Sequence, residues 1–155
     1  MCIRDSPSAA LAKALALVNT PLTAILDVRA QPTAPRWLEG LRSRLADPGV
    51  AMAGARTLVP VGNDVRQTLV QGPIIIGADT RLGAGHMPDD PGPGGWLLVD
   101  QEASAIAPPG LLVRSAALQA CEFPVLQGDA LWIDLCAQLR AAGARLVWTL
   151  SLIHI

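Results

Sequence analysis

In 155 residues the chain has no tyrosine, one phenylalanine, one lysine (Lys13), two histidines and three cysteines. Each shortage excludes something. A zinc site needs about four His/Cys ligands at defined spacings, and there is no CxxC or HxxxH pair to begin one. Two well-separated cysteines, Cys121 and Cys136, predict no redox chemistry beyond reduced, partly buried thiols. The net charge is −1 and the arginines are scattered, so the basic stripe with interleaved aromatics that nucleic acid requires is missing. The most apolar window, Ala9 to Leu26, is broken by Lys13, Asn19, Thr20 and Pro21. A bilayer span takes about 20 continuous apolar residues, so no transmembrane helix is predicted. The near-total preference for arginine over lysine predicts a GC-rich, bacterial source.

What is present begins at the termini. Met1-Cys2-Ile3-Arg4-Asp5-Ser6 and Leu150-Ser151-Leu152-Ile153-His154-Ile155 resemble the two reading senses of a transposon mosaic-end sequencing adapter. The expected division is therefore 1–6 and 150–155 as adapter-derived, with 7–149 an internal slice of a longer, metagenomic protein. Within that slice only His86 remains for Ser-His-Asp or Cys-His chemistry, and it lies in a Gly-rich stretch without a nucleophile motif.

Hydrophobic content of 51% is ample for the core of one domain or a large part of one. Ala9–Leu17 reads as a helix stopped by Asn19-Thr20-Pro21, and Leu22–Leu26 as a buried strand ending at Asp27, followed by a turn through Gln31-Pro32-Thr33. Pro35 suits a first helical position, Leu38, Leu41 and Leu45 form a core-facing stripe, and Asp47-Pro48-Gly49 ends that helix. Strands are expected at Val50–Ala55, within Leu69–Ile76, at Trp96–Val99, at Leu111–Val113 and from Arg145 to Thr149. Pro88 to Gly95 reads as loop. Ser115–Ala120 and Ala130–Ala142 read as helices, the second capped by Asp129 and closed by Gly143. Helices alternating with short apolar strands predict an α/β domain with a mostly parallel sheet.

Several stretches, in order, resemble the later half of a glycosyltransferase family 2 domain of the GT-A fold. They are Ala24-Ile25-Leu26-Asp27-Val28-Arg29 (a strand and DxD turn), Ala34 to Leu41 ("SPDWLEEL") and Val50 to Arg56 ("VGAVGAR"). Further on come Gly85-His86 with Asp89-Asp90-Pro91-Gly92 ("GH…DDPG"), Leu111 to Arg114 ("CLLVRR"), and Asp134 through Gly143 to Thr149 ("VDLCLRLRAAGYRLVWT"). The resemblance implies a partial GT-A-like domain whose N-terminal half, the nucleotide-binding part, is missing. It implies transfer of a sugar from a nucleotide-diphospho-sugar donor to a glycan or lipid-linked acceptor hydroxyl in bacterial polysaccharide assembly. The location implied is cytoplasmic, peripheral at the inner face of the membrane, and residues 7–149 alone are expected to be inactive. The alternative is a degenerate, non-catalytic binding or interaction domain of the same fold.

Such transfer needs positive charge on the diphosphate, ordinarily Mg2+ or Mn2+, and a carboxylate to take the acceptor proton. Here the pattern departs from the family twice. The DxD turn reads Asp27-Val28-Arg29, and a guanidinium repels a metal rather than ligating it. Asp27 remains as the donor-side or metal residue or a turn-capping carboxylate; Arg29 either pairs with the diphosphate or is a solvent-facing, salt-bridged arginine. The family's base position is Trp132, which accepts no proton and is read as core or a stacking surface, leaving Asp134 and Asp129 as substitutes. Asp134 is equally readable as a carboxylate favoured by the helix dipole. His86 is an acceptor-side loop residue or simply solvated, and Asp89 and Asp90 read as turn formers. Ala107-Pro108-Pro109-Gly110 replaces a small polar loop near the acceptor with residues lacking backbone donors.

Overall fold

The computed structural model describes residues 6–32, 35–61, 64–77 and 80–154. Most of the first hexapeptide (1–5) and Thr33, the end of the expected turn, lie outside the described residues. In chain order the elements are α1 (Pro7–Ala16), β1 (Leu22–Leu26), β2 (Gln31–Pro32), α2 (Trp37–Arg44), β3 (Val50–Val61), β4 (Asp64–Gln71), β5 (Ile74–Ile75) and β6 (Thr80–Arg81). A 3-10 segment (Pro93–Leu98) follows, then β7 (Gln101–Glu102), β8 (Gly110–Arg114), α3 (Ser115–Gln119), α4 (Gly128–Ala141) and β9 (Arg145–His154).

The domain is mixed α/β, but the expectation of a mostly parallel sheet is corrected. Five strands stand in the row β1-β8-β3-β9-β2, with β4 on β3 and β7 on β9. Among the described strands β3 and β9 are the one parallel pair; every other pairing is antiparallel. The physical reason lies between β3 and β8, where the described chain forms no α-helix. Parallel neighbours are joined by crossovers that are usually helical, and without such a helix β8 returns antiparallel to β3.

Side chains alternate across the sheet and so bury two faces. Leu111 and Val113 of β8 join Met52, Leu118, Leu131, Leu135 and Leu139 beneath α1, α3 and α4. Leu112 points the other way, to Ala53, Ala55, Leu41 and Leu45 beneath α2. Each fully buried leucine contributes about 1.5–3 kcal/mol. Gly54 is required where the sheet meets the 104–107 segment, because a Cβ there would lie 2.3 Å from Ile106 Cγ2.

Several local expectations change. α2 begins at Trp37, with Pro35 and Arg36 in a turn, and it ends at Arg44, before Asp47-Pro48-Gly49. Leu41 and Leu45 are buried, but Leu38 is exposed. β3 runs on to Val61 rather than stopping at Ala55, and the 69–76 stretch divides between β4 and β5. Trp96–Val99 is not a strand: Pro93–Leu98 is a 3-10 segment with left-handed Gly94 and Gly95 inside it, and it anchors only Leu97 in the core. Gln127, not Asp129, is the N-cap of α4, while Gly143 closes that helix at φ +86° as expected.

β9 does not stop at Thr149 but continues to His154. Its register against β3 is regular from Ala53↔Val147 to Ala55↔Thr149 and then jumps to Arg56↔Leu152.

Candidate functional site

Asp27 follows β1, and its backbone N–H donates to Pro109 O (2.9 Å), which ties the DxD-like turn to the segment entering β8. The two prolines there give no donors, but this carbonyl is what the turn uses. Arg29 then folds back on Asp27. Its Nε donates to Asp27 Oδ1 and its Nη2 to Oδ2, each at 2.9 Å, and its backbone N–H donates to Oδ1 at 2.9 Å. The carboxylate is thus gripped by a two-point fork and an Asx turn together. These bonds, the side-chain fork first, lower the Asp27 pKa from 3.8 to about 2. The same pairing raises the Arg29 pKa. Asp27 is therefore the turn-capping carboxylate, and Arg29 is both salt-bridged and largely solvent-facing, its side chain 71% exposed.

A divalent cation does not fit this donor set. Both Asp27 oxygens already face the guanidinium, and the second position of the motif is that guanidinium itself. Among the described residues there is no group of three or more His, Cys, Asp or Glu arranged to hold a metal.

The two proposed substitutes for the missing base are each engaged by another partner. Asp134 sits in the second turn of α4, not the first, where the helix dipole has faded. Gln138 Nε2 donates to its Oδ2 at 2.6 Å, and the same amide brackets the Glu122 backbone, donating to its O and accepting from its N, both at 2.8 Å. Asp134 thus belongs to a clamp holding the α3–α4 connection. Asp129, in the first turn of α4, accepts from Arg81 Nη2 at 2.5 Å. Trp132 is buried against the α4 face of the core, as the core reading held.

His86 does have a partner, contrary to the solvated reading. Its Nδ1 lies 2.7 Å from Asp90 Oδ2, while Asp90 Oδ1 accepts from Gly92 N–H at 2.8 Å. These bonds, that to His86 first, lower the Asp90 pKa. Asp90 is a turn former as expected, with Gly92 at φ +67° where a side chain would be strained.

The residue that sequence reasoning passed over is Arg56. It is only 6% exposed, its Nη2 donates to Pro88 O, and its buried Nε has no partner. No carboxylate among the described residues pairs with it, and burial lowers its pKa. The available signal was a lone charge closing the apolar run Val50–Ala55. The cysteines are inert packing: burial raises the Cys121 thiol and pushes that of Cys136 up to about 11.

No helix among the described residues is long and apolar enough to cross a membrane. No protein-family model matches the chain, and no curated protein matches it.

Proposed function

We propose that this chain is a GT-A-like piece of a family 2 glycosyltransferase, moving a sugar from a nucleotide-diphospho-sugar to a glycan or lipid-linked hydroxyl in bacterial glycan assembly. The observation that carries the reading is the Asp27–Arg29 fork at the end of β1. It stands where the resemblance puts the donor diphosphate, and it presents an exposed, always-charged guanidinium. β1, β3 and β9 run in one direction, and Asp27 follows the carboxyl end of the first, the end at which ligands gather on parallel α/β strands. In this reading Arg29 leaves Asp27 for the diphosphate oxygens and carries the charge that Mg2+ or Mn2+ carries in a DxD site. A cytoplasmic site at the inner membrane face goes with such an acceptor.

The second reading, a non-catalytic GT-A-like binding domain, is favoured by one observation: the base position is the buried Trp132 and both substitute carboxylates are tied elsewhere. Turnover separates the two. The full-length protein, given UDP-, GDP- and dTDP-hexoses with and without magnesium or manganese, is expected to release nucleoside diphosphate. No transfer and no hydrolysis under any of these conditions would remove the enzyme reading.

A further inference from the structure

A transfer to a hydroxyl needs a proton acceptor, and Trp132, Asp134 and Asp129 do not supply one. We infer that His86, held by Asp90, takes the acceptor proton; this rests on the transfer reading above. Asp90 is ionised and accepts only, so the hydrogen between them belongs to His86 Nδ1. In the neutral ring the lone pair is then on Nε2, which has no hydrogen-bond partner among the described residues. The side chain is 37% exposed, open enough for a hydroxyl to approach. A carboxylate fixing one imidazole nitrogen so that the other works as a base is the arrangement general-base catalysis uses.

The backbone that carries the ring is also held. His86 N–H donates to Gly83 O (3.0 Å), and Val70 N–H of β4 donates to His86 O (2.9 Å). Arg56 of β3 holds Pro88 O two residues on. The base therefore stands on the β3–β4 pair rather than on a free loop. β1 and β3 run in the same direction, both antiparallel to β8, with Leu26↔Gly110 and Gly54↔Leu111 adjacent in register. Asp27 and Arg56 accordingly lie at one level of the sheet, where β1 ends and β8 begins while β3 runs on to pair with β4, so Arg29 and the His86 loop lie toward the same end.

In the step itself the acceptor oxygen forms a bond to the anomeric carbon while the carbon–oxygen bond to the diphosphate breaks. The electron pair leaves with the nucleoside diphosphate, and the hydroxyl proton moves to Nε2. His86 is the catalytic residue, and Asp90 is a positioning residue that stabilises the imidazolium.

The test uses the full-length protein and the hexose-nucleotide panel. His86→Ala is expected to lower kcat about 100-fold or more with donor KM nearly unchanged, and added imidazole is expected to restore part of it. Asp90→Asn is expected to lower kcat less, with donor KM unchanged. A wild-type kcat in His86→Ala overturns the proposal, as does a folded variant that imidazole does not rescue. His86→Gln, which keeps the side chain's bulk, controls for folding. A wild type without turnover overturns the transfer reading and this step with it; a wild type with turnover and an indifferent His86→Ala overturns this step alone. Long-range 1H–15N NMR is expected to find the wild-type ring protonated on Nδ1, and protonation on Nε2 alone contradicts the proposal.

Discussion

Two regions of the molecule are built by different means. The β8–α3–α4–β9 region is held by periodic burial: Leu111, Val113, Leu118, Leu135 and Leu146 are at most 1% exposed. The connection from Gly77 to Asp100 has few such anchors. Among its described residues Leu97 is the buried one, while Met87, Trp96, Leu98 and Val99 stay exposed. What fixes it is a handful of polar contacts through Arg56, His86 and Asp90. Burial gives stability in the first region; in the second, hydrogen bonds place a few groups at the end of the sheet. The second is where a site can sit, because its side chains are not consumed by the core.

Mutation can break this comparison in order of size. Leu135→Ala should destabilise by about 2–5 kcal/mol, since a fully buried leucine leaves a cavity. A fall in the urea midpoint at constant m would measure it, and a loss under about 1 kcal/mol would mean the α4 face is loosely packed. Gly54→Ala should cost about 1–3 kcal/mol through contact with Ile106 Cγ2, and should cost less in an Ile106→Ala background, where that carbon is gone. Arg56→Met should change global stability by no more than about 1 kcal/mol, because a buried charge without a carboxylate partner is costly to keep. The same change should speed proteolysis between Gly83 and Gly92; unchanged cleavage would mean Arg56 does not hold the loop.

The smallest effect is electrostatic. Asp27 is depressed in the folded chain, so its contribution to stability is complete above its ordinary value near 3.8 and is lost as pH falls toward about 2. Wild type and Asp27→Asn should therefore differ above pH 4 and converge only as the pH falls through and below 2, toward about 1, and a gap as large there as at pH 4 would assign the effect to something other than the carboxylate.

The same contrast explains what the sequence made legible. Leu22–Leu26, Leu111–Val113 and the Ala130–Ala142 helix were readable because apolar spacing and the Gly143 stop act locally, although Leu22–Leu26 is only partly buried, with Leu26 exposed, where a buried strand was expected. Strand direction was not readable, since alternation of helix and strand does not say which connection lacks a helix. The run from Val50 to Gln71 hid a hairpin whose signal, Gly62-Asn63 between β-rich runs, was available. At the candidate site, Asp27, Arg29 and His86 were picked out from the sequence. Their partners were not: the Asp27 fork depends on the Arg29 rotamer and the His86–Asp90 bond on left-handed Gly92, neither of which apolar spacing records. Trp96–Val99 misled because an apolar tetrapeptide behind three glycines and a proline has strand composition but turn geometry.

The central claim is that Arg29, rather than a metal, meets the donor diphosphate. Isothermal titration of UDP, GDP and dTDP into the full-length protein, with EDTA and then with magnesium, tests it most directly. The account predicts binding of one of them with the same Kd in both buffers, weakened about 10-fold or more by Arg29→Gln, as loss of a charge-assisted hydrogen bond requires. Binding that appears only with magnesium, or that Arg29→Gln leaves unchanged, would contradict it.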